Sequence, residues 1–171
     1  GGGRFAPLFM QGYCINIPME FKRVELGLRF EGPCSSKLYN INSCADPKFI
    51  FRTNDNKELR TFCWCRKGES VCTDFCNIKT WSRKMLLKMS GRSDCNPTDL
   101  SNFGFNIRYK NTGSLNIINS ALKCPPFCVP LSDIKSIPNE YADVTQDILN
   151  GFKSLVKINN IEKNDLENIM I

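Results

Sequence analysis

Ten cysteines are the side chains of this 171-residue chain with the most chemistry to offer. Four of them, Cys63, Cys65, Cys72 and Cys76, fall in the stretch TFCWCRKGESVCTDFC; the others are Cys14, Cys34, Cys44, Cys95, Cys124 and Cys128. Three uses compete for such a set: metal ligation, redox exchange and structural bridging. A structural zinc site gathers Cys-x(2–4)-Cys knuckles around one tetrahedral ion. Only Cys72-x3-Cys76 and Cys124-x3-Cys128 have that spacing, and a site built from them leaves Cys14, Cys34, Cys44 and Cys95 without metal partners. Thioredoxin-like work needs Cys-x-x-Cys at a helix start, where the dipole lowers a thiol pKa; the motif does not occur. Cys63 and Cys65, one residue apart on a predicted strand, are expected to face apart and to bond different partners. An even, dispersed set in a chain long enough to bury a core points to bridges made in an oxidising environment. All ten cysteines are therefore expected to be disulfide staples, with no metal and no cofactor.

There is no histidine. That removes Ser-His-Asp and Cys-His catalysis and every mixed Cys/His zinc site. Catalysis would have to use carboxylates, lysine or cysteine alone, and no carboxylate pair stands out from the surface background. The chain is expected to be no enzyme, and no catalytic residue is assigned.

The elements that must position these cysteines follow from the hydrophobic pattern. Val24, Leu26, Leu28 and Phe30 alternate with polar or small residues, predicting a half-buried strand that ends at the turn residues EGP. KFIFRT and ELRTFCWC flank NDNK, predicting a hairpin whose second strand enters the cysteine cluster. Thr73 or Asp74 then stands as a cap for an amphipathic helix in NIKTWSRKMLLKMSGR, where Ile78, Trp81, Met85, Leu86 and Met89 recur at helical spacing and Gly91 is the stop. Phe103, Phe105, Ile107 and Tyr109 alternate in FGFNIRY, with NTG as a turn and SLNIINSAL as the return strand. Pro125 and Pro126 force KCPPFCVP into an extended loop. Beyond it Val144, Ile148, Phe152, Leu155 and Val156 mark one face of a helix that Gly151 interrupts, and IEKNDLENIMI suggests a second short helix.

The resulting fold class is α+β: a small disulfide-stapled domain with β-hairpins and one or two packed helices, plus a C-terminal helical extension. Its parts are a flexible arm over 1–13, the disulfide-rich domain over 14–130 and a cysteine-free extension over 131–171 that docks on the core. Residues 1–130 carry 19 Lys/Arg against 10 Asp/Glu, and residues 131–171 carry 4 against 7. The cations are interspersed with acids, which reads as solvated surface more than as a nucleic-acid footprint. No stretch approaches the roughly 20 apolar residues of a membrane span, and no cleavable signal is visible. The single candidate glycosylation acceptor, Asn96, is blocked by Pro97. Gly1, if exposed by methionine removal, is a candidate for myristoylation, although the motif's Ser or Thr is replaced by Phe5.

The order Cys44, CWC at 63–65, VCTDFC at 71–76, a Trp-containing basic segment, Cys95 and FNIRYKNTGSLNIINSALKC ending at Cys124 resembles the ectodomain of the cysteine-rich entry-fusion membrane proteins of poxviruses and related large DNA viruses. The likeness covers about 80 of the 171 residues and is one of spacing. It departs from the family pattern in having three residues, where four are usual, between Cys72 and Cys76. PTDL stands where another cysteine is usual, and no membrane anchor is present. The resemblance implies a non-enzymatic virion component, in fusion or associated with the capsid, and carries over the cysteines as staples. The partners it implies are other protein subunits of the virion and a membrane surface, and not nucleic acid. Its place would be the virion or the extracellular space. The alternatives are a secreted cysteine-rich ligand, toxin or receptor ectodomain from a parasite or invertebrate, and thirdly a zinc-stapled intracellular adaptor.

Overall fold

The computed structural model describes residues 15–16, 23–76, 83–92, 97–110, 115–121, 123–125 and 127–171, with segments 71–76 and 83–92 followed by their backbone. Among these residues six strands and two α-helices form an α+β architecture: β1 (Val24–Pro33), β2 (Ile50–Arg52), β3 (Glu58–Cys65), β4 (Glu69–Cys76), β5 (Arg83–Arg92), β6 (Leu100–Tyr109), α1 (Leu115–Ala121) and α2 (Ala142–Ile158). Four strands make one antiparallel sheet in the order β1-β6-β3-β2, and β4 and β5 pair as a separate hairpin.

The alternating pattern is what buries the sheet. Phe103, Phe105, Ile107 and Tyr109 point to one face of β6, and each is at most 1% exposed. Strand β1 pairs with β6 along its whole length, from Val24 opposite Tyr109 to Pro33 opposite Leu100. Helix α2 covers that face with Val144, Ile148, Phe152 and Leu155, spaced three or four apart as a helical stripe requires. Phe152 stacks on Phe30 at 4.4 Å, and Trp64 stacks on Phe103 at 4.2 Å. Gly151 is what lets the helix come this close: a β-carbon there would sit 3.0 Å from the Phe105 ring and 3.3 Å from Leu59. The C-terminal segment thus shares one core with the sheet.

Two expected elements take another form. The segment RKMLLKMSGR is strand β5, paired with β4 from Glu69 opposite Arg92 to Cys76 opposite Arg83; residues 77–82, including Ile78 and Trp81, lie outside the described residues. Thr73 and Asp74 are mid-strand residues opposite Leu86 and Met85 and cap no helix. Partnership with a preceding strand, ESVCTDFC, overrides a helical pattern that is only suggestive over ten residues. SLNIINSAL, expected as a return strand, is helix α1 over Leu115–Ala121, burying Ile118 and Ala121. The reason is topological: β6 already has β1 on one edge and β3 on the other, so no edge is left for a hairpin partner. The NTG turn lies outside the described residues.

The tail forms a single 3-10 turn, Lys163–Leu166, closed by a capping box between Glu162 and Asp165. It then runs extended, so that Met170 bridges Glu31 and Pro130. The Glu31 amide donates to the Met170 carbonyl at 2.9 Å, and the Met170 amide returns a bond to Glu31 at 2.7 Å. Further along the same edge the Gly27 amide donates to the Tyr141 hydroxyl, which itself donates to the Gly27 carbonyl. A tyrosine and the chain's last residues therefore cover the outer edge of β1.

Candidate functional site

The cysteine-bearing segments converge where β1 and β3 end and β6 begins. Cys34 follows β1, half-buried, its amide held by the Asp99 carbonyl at 2.8 Å. Cys44 lies exposed in the loop that leads from β1 to β2. Arg66, just past β3, draws that loop in: its guanidinium donates to the carbonyls of Tyr39, Asn42 and Cys44 at 3.0, 2.5 and 2.8 Å. The Trp64 amide donates to Asp46, and the Trp64 indole donates to the Tyr39 carbonyl. Loop 39–46 is thereby pinned beside Cys63 and Cys65.

Those two cysteines sit on a β-bulge. Phe62 pairs with Gly104 and Cys65 with Asn102, so Cys63 and Trp64 together oppose one residue of β6. Residues two apart on a regular strand share a face, so the expectation that Cys63 and Cys65 face apart does not follow from strand geometry; the bulge adds one residue between the paired positions. Cys63 takes a φ of 48° and is exposed, Trp64 turns into the core, and Cys65 is buried. Left-handed backbone at a non-glycine residue is uncommon and is sustained here by pairing on both sides of the bulge.

Beneath the bulge lies Arg29, which sequence reasoning passed over because a charged residue in an alternating strand reads as solvated. It is 5% exposed. Its Nη1 donates to Asn102 Oδ1 at 2.5 Å and to the Cys63 carbonyl at 3.4 Å, and the Phe62 ring lies over the guanidinium at 5.5 Å. Phe62 can lie there because residue 104 is glycine: a β-carbon on Gly104 would come within 2.1 Å of its ring. The β4–β5 hairpin contacts β3 and β6, and Asn102 holds the connecting turn through the Gly68 carbonyl at 2.7 Å. Burial pulls the Arg29 guanidinium below its ordinary pKa, and the neighbouring Glu31 carboxylate acts in the opposite sense.

The other cysteines are placed apart from this cluster. Cys72 and Cys76 lie on β4. Cys124 is buried and Cys128 exposed in the non-helical loop before the C-terminal segment, and burial with the Glu140 charge pushes the Cys124 thiol up. Cys14, Cys95 and Gly1 lie outside the described residues. Among the described residues Cys34, Cys44, Cys63, Cys124 and Cys128 stand as thiols, and no group of three metal-ligating side chains converges.

At the other end of the same polar face is a charged network. Arg108 donates to Glu25 at 2.7 Å and to Glu58 at 2.5 Å, tying β1, β6 and β3 together, and Asn106 adds a bond to Glu25. Fold and site thus define a helix-backed antiparallel α+β protein with a cysteine-bearing end. No family model and no curated protein matches the chain. No helix among the described residues is long and apolar enough to cross a membrane.

Proposed function

We propose that this protein is a non-enzymatic structural and interaction protein, a virion component of a large DNA virus that acts in fusion or in association with the capsid. The observation that supports this reading is the gathering of Cys34, Cys44, Cys63 and Cys65 at one end of the sheet, on segments held by Arg66 and Trp64. Bridges among such segments would stabilise the folded form by about 2–4 kcal/mol each, chiefly by restricting the unfolded chain. A particle surface exposed outside the cell is a setting in which that stability matters. The spacing of the cysteines from Cys44 to Cys124 supports the viral assignment, and the basic body and acidic C-terminal segment offer complementary charge for neighbouring subunits.

The test is intact mass after alkylation of the unreduced protein, under native conditions and then under denaturing conditions with a chelator, beside analysis of purified particles. Cysteines that resist alkylation until reduced, in a chain that copurifies with particles, are the expected result. Four thiols that react only once metal is stripped would replace this reading with a zinc-stapled adaptor.

A further inference from the structure

The two edges of the main sheet differ in what meets them. The outer edge of β1 is covered by Met170 and by the Tyr141 hydroxyl. β2 is the terminal strand at the opposite edge, and no described residue pairs with its outer side. Thr61 donates its amide to the Phe49 carbonyl at 3.0 Å, and Thr53 donates to the Lys57 carbonyl at 3.0 Å, so Phe49 and Thr53 turn their backbone groups toward β3. In an antiparallel pair that orientation alternates along the strand. Phe51, opposite Leu59, therefore also faces β3, and the N–H and C=O groups of Ile50 and Arg52 point away from it. Both residues are exposed, the apolar Ile50 by 60%. A charge on an edge strand can blunt it, but the Arg52 guanidinium is turned onto its own hairpin, donating to Asn56 Oδ1 at 3.2 Å.

We propose that the β2 edge is a self-association surface through which two copies of this chain join their sheets, antiparallel, about a two-fold axis. The strand is complementary to itself. With Phe51 opposite Phe51, Ile50 of each copy lies opposite Arg52 of the other, and each such pair exchanges both of its N–H···O bonds. No arginine faces an arginine in this register. Phe51, half-buried and stacked on Phe105 at 5.9 Å, takes the non-hydrogen-bonded position, where facing side chains come closest, so each ring covers the remaining surface of the other. The same register sets Lys48 of one copy beside the Asn54–Asp55 turn of the other, with charges of opposite sign. Two-fold pairing uses both β2 edges, and the β1 edges are already covered, so association closes at the dimer. β2 is three residues long, which makes the contact small and reversible. The inference adds a second copy of the chain as a partner and does not rest on the viral part of the proposed function.

The experiment is sedimentation velocity on the full, unreduced chain from about 10 µM to 1 mM, with accessible thiols blocked under native conditions so that no disulfide forms between copies, and amide hydrogen exchange at both ends of that range. A reversible dimer that grows with concentration is expected, with exchange at the Ile50 and Arg52 amides slowed at the high end and exchange at the inward-facing Phe51 amide unchanged. Ile50→Pro deletes an outward N–H at a position where an edge strand tolerates proline, and should weaken the dimer at least about 10-fold. Ile50→Val keeps the N–H and a β-branched side chain and should stay within about threefold of the parent. If Ile50→Pro does not fold, the concentration dependence of exchange in the unaltered chain decides alone. A chain that is monomeric throughout, or a dimer that leaves exchange at Ile50 and Arg52 unchanged, would overturn the proposal. Neither result touches the cysteine bridges or copurification with particles, so the proposed function stands or falls separately.

Discussion

Glu25 shows how much of this protein's polar chemistry is structural. Burial works to raise its pKa, but hydrogen bonds from Arg108 and Asn106 and the charges of Arg108 and Arg60 hold it below the ordinary carboxylate value. A carboxylate depressed in the folded state contributes stability that is present above its unfolded pKa and lost as pH falls through the folded one. Denaturant midpoints measured from neutral pH downward should therefore fall through the acid range. Glu25→Gln should lower the neutral midpoint and flatten that slope; an unchanged slope would mean that the cross-strand network carries no acid sensitivity. Gly151 is the apolar counterpart. Gly151→Leu forces a branched side chain against the Phe105 ring and Leu59, which are both packed in the core. A loss of about 1–3 kcal/mol is expected in chemical denaturation. A more stable variant would show that the helix–sheet spacing is not set by this glycine. Neither role was visible in the sequence, where Glu25 looked like a solvent-facing strand residue and Gly151 like a helix interruption.

At the scale of elements the protein closes one sheet edge with unlike parts. Strand β1 has its backbone groups at Glu31 met by Met170 and those at Gly27 met by the Tyr141 hydroxyl. An uncovered edge is a template for pairing with another chain. Tyr141→Phe removes an oxygen that both accepts from and donates to Gly27, leaving two backbone groups unpaired, and should cost about 1–3 kcal/mol in denaturation. Hydrogen exchange at the Gly27 amide should rise with it, and unchanged exchange would show that the hydroxyl does not guard this edge. Legibility was uneven here for a physical reason. β1, β3 and β6 were readable because one face of each is buried and the period-2 pattern follows. Helix α2 was readable because its stripe runs over about three turns. RKMLLKMSGR and SLNIINSAL were misread because a short amphipathic run satisfies either period, and the availability of a pairing edge decided between them.

For the whole molecule, the C-terminal segment is the second layer of the core. Phe152 stacks on Phe30, Ser36 donates to the Asp165 carbonyl at 2.6 Å, and Lys57 pairs with Asp147 at 3.0 Å. Phe152→Ala is expected to cost about 3–5 kcal/mol, and tryptophan fluorescence and helical circular dichroism should be lost in one shared transition. Two separated transitions would mean that residues 131–171 fold as an independent extension. By itself the sequence determined the alternation of β1, β3 and β6 and the stripe of α2, because these depend on neighbours a few residues apart. Only the tertiary structure decided that β4 and β5 pair, that α1 is helical, and that a bulge separates Cys63 from Cys65 above a buried Arg29. Those outcomes depend on which strand edges are occupied and on which residues, 34 or 73 positions apart, are brought into contact.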